Sequence, residues 1–186
     1  MRVVGGTAKG TKLLAVPGDT TRPVLDRVKT SLFDILRPSL SQVSLFLDLF
    51  AGSGSVGIEA LSQGDGRAIF LDLEEAAVKT IKANLDKTRF STRAEVRRSD
   101  AFGYLRKVKK VFDLIYVAPP QYEGLWLEAL KLIAERPQLL SPSGRVVVQI
   151  DPKEREGFSS ATLQLFDERK YGNTLLLFYR KTTTDH

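Results

Sequence analysis

Leu47-Asp48-Leu49-Phe50-Ala51-Gly52-Ser53-Gly54-Ser55-Val56-Gly57 passes from an apolar run, through a glycine-rich turn, into a segment with helical spacing. A strand that ends in such a turn and re-enters as a helix brings bare backbone N–H groups up to a ligand at the helix N-terminus, which suits nucleotide-like molecules. Gly52, Gly54 and Gly57 satisfy G-x-G-x-x-G, a pattern that serves nicotinamide dinucleotides equally well, so the neighbouring residues decide. Asp48 stands four residues before Gly52, at the carboxyl end of the strand. A carboxylate there would repel a pyrophosphate but would accept hydrogen bonds from a cationic amino-acid group, which favours S-adenosylmethionine. Ala51 and Ser53 complete the turn.

Working outward, the chain alternates apolar runs with amphipathic segments: strand 45–50, helix 55–63, strand 67–72, helix 74–87, strand 94–98, helix 101–107, strand 112–117, helix 123–135 and strand 144–150. This rhythm predicts an α/β fold, a mostly parallel sheet covered by helices. Two strands, 163–166 and 174–179, then follow without a helix between them, joined through Tyr171-Gly172-Asn173, and predict a terminal antiparallel hairpin. Asp72, followed by Leu73, closes the second strand 20 residues after Gly52, where a carboxylate can take both hydroxyls of an adenosine ribose in either cofactor. Asp100, followed by Ala101, closes the third, placed to accept from an adenine amino group. The plainer alternative is that Asp48 and Asp100 cap helices and the glycines only tighten a turn.

The fourth strand leads at once into Ala118-Pro119-Pro120-Gln121-Tyr122. Two prolines stiffen a loop beside the cleft. Methylation of an exocyclic nitrogen needs acceptors that hold the amino group and a flat surface on which the base stacks, and stiff carbonyls with an aromatic supply both.

Composition excludes several other chemistries. Cysteine is absent, which removes disulfides, thiolate zinc sites and the cysteine nucleophile that pyrimidine C5 methylation usually employs. The single histidine is His186, so imidazole catalysis and a histidine metal site are not expected, and no metal is implied. No stretch reaches the roughly 18 apolar residues of a membrane span, and the first residues lack a signal-peptide layout, so a cytoplasmic protein is expected. The net charge of +6 is uneven: residues 79–110 hold eleven Lys and Arg against three acids, residues 1–40 seven against three, and the remainder sums to −6. Such blocks suit a polyphosphate partner, although a solvated basic face would look the same.

Residues 1–18 read as a hairpin, with strands over 2–6 and 11–16. Thr20-Thr21-Arg22-Pro23 then opens a helix whose apolar positions, from Val24 to Leu36, recur until Pro38. Residues 1–40 are expected to form an extension on a domain over 41–186, in one globular unit.

The glycine motif, Thr21-Arg22-Pro23 with Asp26-Arg27-Val28, the double proline and Tyr171-Gly172-Asn173-Thr174 together resemble the RsmD family of 16S rRNA guanine-N2 methyltransferases over nearly the whole chain. The resemblance implies a Rossmann-like seven-stranded sheet, S-adenosylmethionine as methyl donor, and 16S rRNA of the small ribosomal subunit as partner; a monomer is expected. It places the helix start near the cleft, where Arg22 and Arg27, with Lys9, Lys12 and Lys29, grip phosphates around an extruded base. Alternatively Arg22 merely pairs with Asp26 on the first helical turn. This chain departs from the family's Asp/Asn-Pro-Pro-Tyr/Phe loop, with Ala118 in place of the polar residue and Gln121 in place of the aromatic. The expectation is that the Ala118 and Pro119 carbonyls hold the amino group, Gln121 supplies the lost side-chain oxygen and Tyr122 stacks on the guanine. The competing expectation is a catalytically silent RNA-binding or assembly factor.

Overall fold

The computed structural model describes residues 1–18 and 24–183. Five helices and seven strands follow one another as α1 (Asp26–Leu40), β1 (Leu45–Asp48), α2 (Ser55–Gln63), β2 (Arg67–Asp72), α3 (Glu75–Thr88), β3 (Ala94–Arg98), α4 (Ala101–Lys107), β4 (Phe112–Val117), α5 (Leu125–Glu135), β5 (Leu140–Ile150), β6 (Leu163–Tyr171) and β7 (Thr174–Lys181). They build one sheet in the order β3-β2-β1-β4-β5-β7-β6. The first five strands are parallel, and β7 runs antiparallel between β5 and β6. The fold is the Rossmann-like, mostly parallel seven-stranded sheet with a terminal antiparallel hairpin expected from the sequence.

Both faces of the sheet are covered, which is why the central strands are apolar on both sides. On one face Phe46, Phe70, Tyr116 and Phe178 pack under α1, α2 and α3. On the other Leu47, Ile69, Ile115, Val146 and Leu177 pack under α4 and α5, with the buried Trp126 among them.

Several boundaries differ from those read in the sequence. Helix α1 continues through Pro38 because buried Leu36 and Leu40 anchor its last turn; its expected opening at Thr20–Pro23 lies outside the described residues. Strand β1 stops at Asp48, two residues early, where the chain turns to form the glycine loop. Helix α5 begins only at Leu125, because Gly124 is left-handed. Strand β5 begins at Leu140, with Pro142 and Gly144 absorbed in a bulge between the Phe112–Leu140 and Leu114–Arg145 pairs. Strand β6 runs on through Asp167-Glu168-Arg169-Lys170, whose charges suit an edge strand.

The N-terminal arms form a short irregular hairpin rather than two regular strands: beside an antiparallel Arg2–Lys12 bridge, Val3 N–H donates to the Thr11 carbonyl, Gly10 N–H to the Val3 carbonyl and Leu13 N–H to the Met1 carbonyl. Other groups of this backbone pair with side chains of the domain. Glu59 accepts from the Val4 and Gly5 N–H groups, Ser62 Oγ from Ala8, and Asn84 Oδ1 from Leu14, at 2.8–3.0 Å. Satisfying these outward groups from α2 and α3 fastens the hairpin to the helices.

Candidate active site

Strand order reverses between β1 and β4, and in open α/β sheets the crevice beyond the carboxyl ends of the strands at such a point receives ligands. Asp48 ends β1 there, opposite Phe70 on β2 and Tyr116 on β4. It is 1% exposed, and its Oδ2 accepts from the Gly57 N–H at 3.2 Å. Burial, opposed by that hydrogen bond and helped by the charge of Asp72, raises its pKa from 3.8 to about 7. A carboxyl so placed gains most from a cation that restores its charge.

The glycines differ in purpose. Gly52 takes φ +56°, and no heavy atom lies within 4 Å of where a side chain would begin, so the turn borders open space. Gly54, at φ +82°, caps α2. At Gly57 a Cβ would come within 2.3 Å of the Phe70 ring, so this glycine lets the helix lie on the sheet.

Asp72 ties the turn down: one carboxylate oxygen accepts from the Gly52 N–H at 2.9 Å, the other from Glu74 at 3.0 Å. Asp100 caps α4 by accepting from the Gly103 N–H at 2.8 Å, so the plainer reading of this residue is realised, while it still stands at the carboxyl end of β3. Ser99 N–H donates to the Asp72 carbonyl, which holds the ends of β2 and β3 together. Leu73 is 60% exposed, and Ala101 is buried. Phe50 and Phe102 meet edge to face at 6.0 Å beside these strand ends. Neither ring was singled out from the sequence, although Phe102 directly follows Asp100-Ala101.

Ala118 and Pro119 are half-buried where β4 ends, and Pro120, Gln121 and Tyr122 are exposed. The prolines are not the only restraint. Tyr122 adopts φ +64°, a conformation a bulky residue takes only when its surroundings enforce it. Its N–H donates to Glu154 Oε1 at 2.7 Å and its hydroxyl to Asp151 Oδ2 at 2.8 Å. Asp151 and Glu154 also cap each other's backbone across the 3-10 turn Pro152–Glu154. This Asp-Pro-x-Glu capping box follows the end of β5, next to β4, and its sequence signal was passed over.

In the N-terminal segment Lys9, Lys12 and Arg27 are exposed, and Arg22 lies outside the described residues. Lys29 corrects the expectation that it grips RNA: it is 0% exposed, its Nζ 3.1 Å from Glu59 and bonded to Ser55 Oγ and the Arg2 carbonyl. Its apolar neighbours Val28, Leu32 and Phe33 carry it into the core, where it joins the extension to the first turn of α2. Asp26 accepts from the Arg2 N–H. A side chain placed on Gly172 would stand 3.4 Å from an Arg27 nitrogen, so the Asp-Arg-Val and Tyr-Gly-Asn-Thr motifs meet in space.

A family model described as "Conserved hypothetical protein 95" matches residues 1–180. Ribosomal RNA small subunit methyltransferase D of Haemophilus influenzae is 32% identical, covering 92% of this chain and 89% of its own. The chain belongs to the RsmD family. Another relative, YlbH of Bacillus subtilis, provisionally named an rRNA methyltransferase, is 37% identical over 97% of this chain and 99% of its own. Within the family the structure is similar to that of yhhF from Escherichia coli, with a TM-score of 0.86 and 28% identity over 97% of each chain. An RNA methyltransferase from Salinibacter ruber, solved in complex with S-adenosyl-L-homocysteine, shares the fold at TM-score 0.64 and 16% identity, over 84% of this chain and 92% of its own.

Proposed function

We propose that this chain transfers a methyl group from S-adenosylmethionine to the exocyclic N2 of a guanine in 16S rRNA of the small ribosomal subunit. The observation that carries the reading is the buried Asp48 carboxyl beside the open turn at Gly52, with the Ala118-Pro119 carbonyls at the end of the adjacent strand. The residues present fit the donor. Asp48 would take its ammonium group, the turn Ala51–Gly54 its amino-acid portion, Asp72 the ribose hydroxyls, and Asp100 with Leu73, Ala101 and Phe102 the adenine. When bound, S-adenosylmethionine supplies a methyl carbon made electrophilic by its sulfonium.

The chain's own task is orientation. The Ala118 and Pro119 carbonyls accept from the amino group of the base, Gln121 provides an acceptor where the family has a polar side chain at position 118, and Tyr122 offers the stacking surface. A sulfonium leaving group asks little of a general base, so Ala118 slows this reaction without abolishing it. Lys9, Lys12, Arg22 and Arg27 hold phosphates around the extruded base, offsetting the few kcal/mol that unstacking costs. The family relatives named as small-subunit methyltransferases support the substrate class.

Ala118 favours one other reading, a silent RNA-binding assembly factor. Tritiated methyl transfer to small subunits lacking the modification, followed by nucleoside identification, separates the two. Label in N2-methylguanosine is the expected result. Bound subunits without label would leave the silent factor, and label on another base would remove the guanine assignment.

A further inference from the structure

The basic block of residues 79–110 is gathered around one edge of the sheet. Strand β3 is an edge strand, paired with β2 alone. Helix α3 packs on one face and α4 on the other. The two sides are linked across the edge: Arg97 lies over the Tyr104 ring at 5.8 Å, and Arg98 reaches Glu75 at 4.0 Å. Because β2, β3 and β4 all run in the same direction as β1, the helices between them must run back. The last residues of α3 and α4 therefore come down at the same pole, opposite the Asp48 cleft, α3 ahead of β3 and α4 ahead of β4, on opposite faces of the sheet.

That pole carries Lys87, Arg89, Arg106, Lys107, Lys109 and Lys110, all exposed. Among the described residues no carboxylate lies within 4.0 Å of any of the six. Their neighbours are otherwise engaged. Arg93 spends its guanidinium on the Gly64 and Gly66 carbonyls, Glu95 pairs with Arg97, and Asp86 accepts from Ser91. Six like charges without acidic partners at one pole repel one another, and a polyanion lying across that pole relieves the repulsion.

We propose that this pole is a second RNA-docking surface, taking the phosphate backbone of a helical arm of the same RNA whose base enters the cleft. That the polyanion is RNA rests on the function proposed above; the position of the surface does not. Helix α3 spans 14 residues, or about 21 Å at 1.5 Å per residue. The pole therefore lies about 20 Å from the reacting base. Substrate recognition is then bipartite: a short stem-loop fills only the cleft, and an RNA extending about 20 Å further engages both.

The test compares wild type with the triple variant Lys107→Glu, Lys109→Glu, Lys110→Glu on two RNAs that share one loop with an unpaired guanine. One has a stem of a few base pairs, the other continues for about two helical turns. Binding is read by fluorescence anisotropy across a salt series without cofactor, with Lys107→Gln, Lys109→Gln, Lys110→Gln (the Gln triple) as a milder second variant. Wild type should prefer the long RNA about tenfold, and the Glu triple should lose that preference. The slope of log K against log salt on the long RNA should flatten by roughly 2–3, at about 0.9 per lost phosphate contact. Affinity for the short RNA should stay unchanged, and the Gln triple should fall between. Equal loss on both RNAs, or an unchanged long-arm preference, would overturn the proposal, the latter pointing to an acidic protein as occupant. Because the readout is binding alone, failure of the methylation reading registers separately, as absent transfer with the long-arm preference intact.

Discussion

Asp48→Asn keeps the shape of the site and removes its charge. In the folded chain the Asp48 proton is held to about pH 7, whereas its ordinary value is 3.8. The unfolded chain thus gives up that proton first, and Asp48 lowers stability as pH rises between those two values, by on the order of 4 kcal/mol in full. Urea titrations at pH 5 and pH 8 should show wild type losing stability over that interval relative to Asp48→Asn. Calorimetry should show the opposite ranking for the cofactor above pH 7, with affinity in wild type rising about tenfold per pH unit up to about 7 and levelling above, and Asp48→Asn independent of pH, about 100-fold weaker at pH 8 and close to wild type near pH 5. The glycines give a second contrast. Gly57→Ala meets the Phe70 ring at 2.3 Å, so a loss of about 1–3 kcal/mol in stability is expected. Gly52→Ala meets no atom and should cost about 1 kcal/mol through its positive φ, yet abolish cofactor binding by filling the turn. Equal effects of the two on stability and on binding would contradict these separate assignments.

At the scale of elements, the loop after β4 is held by the cap of the turn after β5. Glu154→Gln and Tyr122→Phe each weaken one of its two anchors, worth about 1 kcal/mol apiece. Turnover should fall severalfold with cofactor affinity unchanged; a shift confined to cofactor affinity would mean the loop does not hold the base. The buried Lys29–Glu59 pair joins the extension to α2. Lys29→Met should cost about 3–5 kcal/mol, because it strands a buried carboxylate, and adding Glu59→Gln, which removes the charge but keeps an acceptor for the N-terminal backbone, should recover part of that loss in a thermal melt. Lys29 also marks a limit on what patterning conveys. A lysine in an amphipathic helix looks exposed, and only a carboxylate thirty residues away, on another helix, makes its burial affordable. Tyr122 is similar: two prolines announced a stiff loop, but the clamp comes from residues around position 150, a separation that no local signal spans. By contrast the placement of Asp48, Asp72 and Asp100 at or beside strand ends, and of the glycines in the turn, was legible because strand ends and turns are written locally.

Across the whole molecule, the alternation of apolar runs and amphipathic segments was enough to give a parallel sheet, since each run had to be buried on both faces. What the alternation left open was the extent of the strands near irregular chemistry. Pro142 lies before the expected strand 144–150 and sits in a bulge of a longer β5, and the charged run 167–170, beyond the expected strand 163–166, forms an edge. The N-terminal arms read as a hairpin and do pair around Val3 and Thr11, but others of their hydrogen bonds go to Glu59, Ser62 and Asn84 and the strands stay short. The insertion of β7 between β5 and β6 bears on synthesis. Strand β6 has β7 as its sole partner, and β5 faces β7 along Arg145–Ile150. A nascent chain halted before residue 174 would therefore carry an open, apolar β5 border and an undocked β6, a sticky intermediate until the final strand slots into place.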